Sequence, residues 1–210
     1  MASARYALAP VVLLMAGACS GTAGSADTAA NATTDETVTI ANEGGAREGH
    51  TPTAFTGMGT GLFAGDNLNP TFPEGVGVQS YLTFALPPGL DSSSAHVVSD
   101  ALHVSGSPFE DLGPLVAEPV AYETFGPDLF DLAAGGPATE CAVTDGTSIR
   151  CDVTEALRVA VGDGRAEAQF RIRFALPADD DGRQDLALFF RTDSNTNEAG
   201  LFELVITQES

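Results

Sequence analysis

The chain contains no tryptophan and no lysine, and its 210 residues include only three tyrosines, three histidines and three cysteines. Sugar-binding platforms favour tryptophan and tyrosine, because their rings stack on sugar faces while their polar tips stay in water. The scarcity of both residue types therefore counts against a conventional carbohydrate-binding module.

Basic residues are scarce as well. There are nine, all of them arginine, against 29 acidic residues, so the formal net charge is −20 at pH 7. A surface this acidic repels nucleic-acid backbones and anionic lipid headgroups. We therefore expect no nucleic-acid partner.

Sequence patterns of the common catalytic sites are missing. No Gly-x-Ser-x-Gly, His-Glu-x-x-His or Walker pattern occurs in the chain. Strand alternation places His96 and His103 on opposite faces, so they are not natural co-ligands. A pair of carboxylates can hydrolyse a glycosidic bond, but no pair stands out among 29 acidic residues. We expect no catalytic residues, and a polysaccharide-acting hydrolase or its accessory subunit is the alternative.

The amino terminus has the pattern of an export signal. Arg5 precedes an apolar run from Tyr6 to Met15, and small residues then lead into Cys19. This arrangement resembles the lipobox of bacterial lipoproteins, although Ala16 stands where leucine is usual. It implies a signal peptide over residues 1–18 and a lipid on Cys19. The alternative is an ordinary cleaved signal followed by a chance cysteine.

The region after Cys19 predicts a tether. Residues 20–35 are small and polar, with no apolar periodicity, so they cannot bury enough surface to fold. We expect a flexible tether over residues 19–35 and one folded domain over residues 36–210. Because Ser20 follows the cysteine where aspartate would signal inner-membrane retention, we expect an exported lipoprotein at the outer membrane or cell surface.

The other two cysteines are predicted to form a disulfide. Export favours the pairing of Cys141 with Cys151, and the Asp145-Gly146 pair between them is a hairpin signal. A turn with an odd number of residues centred on Gly146 would place the cysteines directly opposite each other. A two-residue turn would offset them by one and require a bulge.

Alternation with a period of two dominates from Glu36 onward and predicts strands. In "AQFRIRFAL" the alternation points Phe170, Ile172, Phe174 and Leu176 inward, and Gln169, Arg171 and Arg173 outward. Three other segments place apolar residues on one face: Leu82, Phe84 and Leu86; Leu186, Leu188 and Phe190; Phe202, Leu204 and Ile206. Only "DVTEALRVAV" indicates a helix, with Asp152 and Glu155 as a capping box. The predicted fold is an all-β, antiparallel, jelly-roll-like sandwich with one short helix.

The order of these strands carries a resemblance to a known family. "YLTFALP", "VVSDALHV", "CDVTEAL", "FRIRFAL" and "FFRTDSNTNEAGLFELVI" follow one another. This order resembles the disaggregatase-related (DNRLRE-type) β-sandwich modules of secreted and surface proteins, which are similar to carbohydrate-binding jelly rolls. The resemblance implies a fold and an extracellular role without catalytic residues. Asp100 departs from it, because it stands where such modules carry a small apolar residue.

Few residues are candidates for binding. Tyr81 and Tyr122 are the tyrosines best placed to contact a glycan, and three arginines could form a cationic stripe for an anionic glycan: Arg171, Arg173 and Arg191. Charge compensation by neighbouring acids is the alternative for the arginines. The turn Asp179, Asp180 and Asp181 offers oxygens to a hard cation such as calcium, although a solvated acidic loop is the simpler explanation, because the spacing lacks an established calcium pattern. Apart from calcium, no cofactor is expected.

These patterns together predict a non-catalytic lipoprotein, exposed at the surface or in the periplasm. Its β-sandwich would bind or organise an extracellular polymer or a partner protein. The membrane is contacted through the lipid, and the further partner is a glycan or a surface protein.

Overall fold

The alternating segments of the sequence form β-strands in the computed structural model, which describes residues 35–51, 55–56, 61–66, 77–191 and 200–208. The described residues belong to one compact unit, Thr33–Ser210. The predicted signal peptide, Cys19 and all but the last residue of the predicted tether lie outside the described residues. None of the helices described is long and apolar enough to cross a membrane.

Thirteen strands and two α-helices occur in the described part of the chain. The strands are β1 (Glu36–Ala41), β2 (Gly49–Thr51), β3 (Phe55–Thr56), β4 (Leu62–Asp66), β5 (Gln79–Ala85), β6 (Ser94–Ser99), β7 (Leu102–Ser105), β8 (Leu115–Val120), β9 (Thr139–Thr144), β10 (Ser148–Asp152), β11 (Glu167–Phe174), β12 (Asp185–Phe189) and β13 (Glu203–Gln208). The helices are α1 (Pro108–Asp111) and α2 (Thr154–Gly162), and short 3-10 turns occupy Gly45–Arg47 and Pro127–Asp131.

The strands form two antiparallel sheets around one core. The larger sheet has the order β1-β13-β6-β10-β9-β8-β11-β5-β2-β3, and the smaller has the order β4-β12-β7. Apolar side chains from both sheets pack in a single cluster, which includes Leu62, Leu82, Val97, Phe170 and Phe189. The predicted all-β antiparallel sandwich is therefore confirmed.

The alternation of β11 and β5 correctly identified their core faces. Phe170, Ile172 and Phe174 are buried in the cluster together with Leu82 and Phe84 of the neighbouring strand. The prediction for Leu176 was wrong, since that side chain is 52 % exposed beyond the end of β11. Its strand ends at Phe174, so the inward alternation does not continue to it.

The predicted face of β12 was also wrong in part. Ala187 and Phe189 pack in the core cluster, whereas Leu188 and Phe190 are only half-buried. Leu186 is buried but lies outside that cluster. The segment is apolar on both faces, so alternation alone could not decide which face meets the core.

The disulfide between Cys141 and Cys151 is present, as predicted. The two residues are register partners in the β9–β10 hairpin, with a Cα–Cα distance of 4.1 Å. A three-residue turn, Asp145 to Thr147, joins the strands, and Asp145 and Gly146 both have positive φ. The odd loop length centred on Gly146 therefore places the cysteines opposite each other without a bulge.

The predicted helix is α2, and one of its faces packs against the core. Val153, just before the helix, and Leu157 and Ala160 within it are buried. The predicted capping box is not formed, because the N-cap is Val153 without a side-chain cap, and Asp152 Oδ1 instead accepts hydrogen bonds from the backbone N–H and the hydroxyl of Thr154. Glu155 does not complete the box and instead pairs with Arg158.

Asp100 marks the point where the chain leaves one sheet for the other. It is exposed and lies between the end of β6 in the larger sheet and the start of β7 in the smaller. Asp100 therefore lies outside any strand, which explains why a polar residue stands at a position expected to be apolar.

Candidate functional site

The face of β5, β8 and β11 that points away from the core is covered by residues 121–136. Tyr81 packs there with Val120, Phe125 and Leu129 in a second apolar cluster. Side chains that alternation placed on a solvent face are consequently buried under this segment. We call residues 121–136 the covering segment.

Arg171 and Arg173 are held by one carboxylate on this face. Arg171 Nε and Nη2 donate to Glu118 Oε2 at 2.8 and 2.5 Å, and Arg171 Nη1 donates to the Leu132 carbonyl at 2.9 Å. Arg173 Nη2 donates to Glu118 Oε1 at 2.5 Å. Burial by itself would raise the pKa of Glu118, but the two guanidinium groups outweigh it and hold that pKa below its usual value.

Arg171 thus points away from the core, as predicted, but it is buried and not exposed to solvent. Its side chain is 9 % exposed, whereas that of Arg173 is 27 % exposed. Both guanidinium groups line a cavity of about 510 Å³ beside Phe130 and Leu132. Because most of their N–H groups already bind Glu118 or backbone carbonyls, they offer few donors to a ligand in that cavity.

The two candidate tyrosines lie on the same covered face, where their rings meet edge to face at 5.9 Å. The Tyr81 hydroxyl donates to the Leu129 carbonyl, and the Tyr122 hydroxyl donates to the Arg47 carbonyl at 3.0 Å. Burial raises the pKa of both phenols. Tyr81 is fully buried and Tyr122 is half-buried, so neither ring forms an open stacking platform.

Arg191, the third arginine of the predicted stripe, lies elsewhere. It is exposed at the end of β12 and donates to Asp100 Oδ1 at 3.1 Å. The structure therefore brings together four of the five predicted binding residues, but largely as a buried layer.

An open groove lies between α2 and the end of β8. Its volume is about 620 Å³, and its apolar lining residues are Pro119, Val120, Ala121, Pro137, Val153, Ala156 and Val159. Val159 stands out, because a valine side chain on a helix is 60 % exposed there. We call this feature the α2 groove.

Charged residues at the α2 groove balance one another. Asp152 and Glu155 line it together with Arg158 and Arg165. Arg158 pairs with Glu155 and donates to the Ser93 carbonyl at 3.0 Å. The hydrogen bonds from Thr154 lower the pKa of Asp152. Sequence reasoning did not single out this groove, because its lining comes from segments far apart in the chain.

The three histidines lie on different strands. His50 on β2 is buried against Phe63, with ring centroids 3.8 Å apart, and burial lowers its pKa to about 4. His96 on β6 is half-buried, and His103 on β7 is exposed and stacked on Phe190. Within the described residues, no histidine belongs to a group of ligands that could share a metal ion.

Glu48 is a buried carboxylate that the sequence did not reveal. It accepts hydrogen bonds from the backbone N–H groups of Thr83 at 2.6 Å and Glu43 at 3.1 Å, and from Asn42 Nδ2 at 2.5 Å. Burial raises its pKa to about 7 despite these donors. Glu48 lies just before β2, and its role is to satisfy the backbone N–H of Thr83 on β5.

The three aspartates of the predicted acidic turn have different surroundings in the structure. Asp179 approaches two carboxylates from other segments, Asp111 and Asp185, and the ligand oxygens of all three lie within 4.8 Å of one another. Asp181 pairs with Arg183 at 3.7 Å, and Asp180 has positive φ. Neither belongs to the group that could share a cation.

Comparison with known proteins identifies no family for the chain. No protein-family model matches the chain, and no curated protein matches it either. Any functional conclusion has to come from the residues of the chain itself.

Proposed function

We propose that the chain is a non-catalytic exported lipoprotein whose β-sandwich binds a segment of a partner protein in the α2 groove. A lipid on Cys19 would attach it to the outer membrane or cell surface. The observation that carries the binding proposal is the open apolar groove with Val159 exposed in it. We also propose that the domain is a DNRLRE-type module, supported by its strand-rich fold and the "DVT" turn into α2.

The lining of the α2 groove favours a peptide over a sugar. Protein interfaces combine an apolar centre with a polar rim, and the groove has apolar walls with charged residues at its edge. None of its lining residues in the described part of the chain is aromatic, so they offer a sugar ring no stacking platform. The net charge of −20 attracts a partner with basic flanking residues.

The carboxylates in the groove argue against the alternative, a polysaccharide hydrolase. Such enzymes need one carboxyl group with a raised pKa to act as the general acid. Asp152 has a lowered pKa because Thr154 donates to it, and Glu155 is paired with Arg158. Asp152 is therefore poorly suited to donate a proton to a leaving group.

Selection of random displayed peptides on the immobilised full-length protein tests the binding proposal. We expect enriched peptides with apolar residues flanked by lysine or arginine. Val159→Arg should weaken their binding at least tenfold, because it places a charge on the apolar wall. The matched control is Val143→Arg, since Val143 is 38 % exposed on β9 and does not line the groove.

Three outcomes would overturn the proposed partner. One is the absence of enriched peptides, and another is peptide binding that Val159→Arg leaves unchanged. The third comes from a parallel glycan array: a glycan signal that Val159→Arg abolishes would replace the protein partner with an extracellular polymer.

The anchor is tested separately, in cells that process lipoproteins. Cys19→Ala should move the protein from the membrane fraction to the soluble fraction. Mass spectrometry of the wild-type protein should show a lipidated cysteine as the first residue, and an unmodified thiol there would refute the anchor without affecting the groove.

A further inference from the structure

Three carboxylates from separate segments converge at one end of the smaller sheet. Asp111 ends α1, Asp179 lies in the loop after β11, and Asp185 begins β12. Their ligand oxygens lie within 4.8 Å of one another. Like charges this close repel, so the arrangement needs a compensating cation.

Asp185 is the buried member of the group, and one of its oxygens is a candidate cation ligand. The residue is 1 % exposed, and Ser107 N–H donates to its Oδ1 at 2.5 Å. Its Oδ2 is buried and has no hydrogen-bond partner among the described residues. An unsatisfied buried carboxylate oxygen is costly, and a metal ion in contact with it would remove that cost.

The backbone around Asp185 holds its carboxylate in place. Gly106 has a φ of +76°, and a Cβ atom there would lie 2.4 Å from Asp185 Oδ1. Only glycine combines this conformation with such a close approach. The hydrogen bond from Ser107 therefore fixes Oδ1 and leaves Oδ2 available to a cation.

Among the residues that the structure describes, no arginine forms an ion pair with this group. The ion pairs among the described residues use other acids, and the nearby Arg183 pairs with Asp181. Asp66, a further acidic residue, is the register partner of Asp185 on β4 and adds negative charge nearby.

We propose that Asp111, Asp179 and Asp185 form a calcium-binding site. Calcium takes six to eight oxygen ligands at about 2.3–2.6 Å, so two oxygens bound to it lie at most about 4.6–5.2 Å apart. The spacing of the three carboxylates satisfies that limit. The ion would fasten α1, the acidic loop and β12 together, and water or backbone carbonyls would complete its coordination.

The site explains what the acidic turn does. Asp179 is the one residue of that turn in the group, while Asp180 and Asp181 lie outside it. The acidic turn in the sequence identified the correct loop, but only one of its three aspartates is a proposed ligand. The other two ligands come from Asp111 and Asp185, neither of which belongs to the turn.

Calcium titration of the purified full-length protein tests the site. Extracellular calcium modules have dissociation constants of about 10⁻⁴–10⁻³ M, and calorimetry should show one ion bound in this range. At about ten times that concentration the unfolding temperature should rise by roughly 3–6 °C relative to chelator. About 0.15 M NaCl screens diffuse binding to the acidic surface, and magnesium at equal ionic strength should give a much smaller rise.

The decisive variant is Asp185→Asn, which keeps an oxygen for Ser107 N–H but removes the charge. This substitution should abolish the calcium-dependent rise in unfolding temperature. In chelator the variant should unfold at or above the wild-type temperature, because repulsion among the three carboxylates is relieved. Asp111→Asn should behave in the same way. A merely structural role would instead make both variants less stable in chelator.

Asp180→Asn is the matched control, since it removes the same charge from the same loop outside the group. It should keep the full calcium response. The proposal is overturned if wild-type protein shows no calcium-dependent rise, or if Asp185→Asn and Asp180→Asn respond to calcium alike.

Discussion

Arg171 on β11 and Glu118 on β8 are direct register partners, and both are buried beneath the covering segment. Their side chains are 9 % and 6 % exposed. The same carboxylate also binds Arg173, so two arginines share a single buried acid. This small network lies between the larger sheet and the covering segment and ties the two together through the Leu132 carbonyl.

Removing the shared acid should be strongly destabilising. Glu118→Gln leaves two neighbouring guanidinium groups without a countercharge, and breaking a buried pair typically costs about 3–5 kcal/mol. Arg158→Gln, which breaks the exposed pair with Glu155, should change the free energy of unfolding by no more than about 1 kcal/mol. Urea denaturation of both variants provides the comparison, and equal losses would contradict the burial argument.

Glu48 predicts a pH dependence of stability. Its pKa is about 7 in the folded chain and 4.5 when unperturbed, so the folded state binds the extra proton between these values. Stability from this group is therefore full at low pH and is lost as the pH rises towards 7, by up to about 3 kcal/mol.

The variant Glu48→Gln isolates this effect, because it is neutral at every pH and keeps one oxygen for Thr83 N–H and Glu43 N–H. Urea unfolding between pH 4.5 and 8 should show a smaller decline for the variant than for wild type. Parallel curves would mean that Glu48 does not titrate in this window.

Phe170 should be among the most sensitive core positions. It is 1 % exposed and packs edge to face against Phe84 at 6.1 Å. Truncation to alanine should cost about 3–5 kcal/mol, because it removes buried apolar surface and leaves a cavity. Leu176→Ala, close to the end of the same strand but 52 % exposed, should cost far less. Thermal unfolding distinguishes the two, and similar losses would contradict the assignment of the core.

Reduction of the Cys141–Cys151 bond should lower stability by about 2–3 kcal/mol, since the closed loop spans a sequence separation of only 10. The paired variant Cys141→Ser/Cys151→Ser should lose a similar amount and should no longer respond to reductant. Denaturation with and without a reducing agent measures both, and a wild-type curve unaffected by reductant would show that the bond contributes little.

Alternation in the sequence was enough to predict the strands and much of the core. It succeeded for β11 because Phe170, Ile172 and Phe174 alternate with polar residues, and it failed for β12 because both faces of that strand are apolar. The Asp-Gly pair predicted the hairpin and the disulfide, but it left two turn lengths open, and the structure has the odd-length turn that places the cysteines opposite each other.

The candidate site depends on contacts between distant segments, which the periodicity of the sequence cannot predict. Tyr81 and Arg171 have the spacing of solvent-facing residues, and only the folded chain places the covering segment over them. The α2 groove and the group Asp111, Asp179 and Asp185 are likewise built from segments distant in sequence. A local pattern can mark one member of such a group but cannot name its partners.

The two halves of the larger sheet are connected through a short pairing of β8 with β9. β8 and β9 share only two register pairs, Val116 with Glu140 and Ala117 with Thr139. The α2 groove spans this pairing, because Val120 lies on one side of it and Asp152 on the other. A ligand bound in the groove would contact both sides of this short pairing, so occupancy of the groove and resistance of the sheet to opening there should rise together.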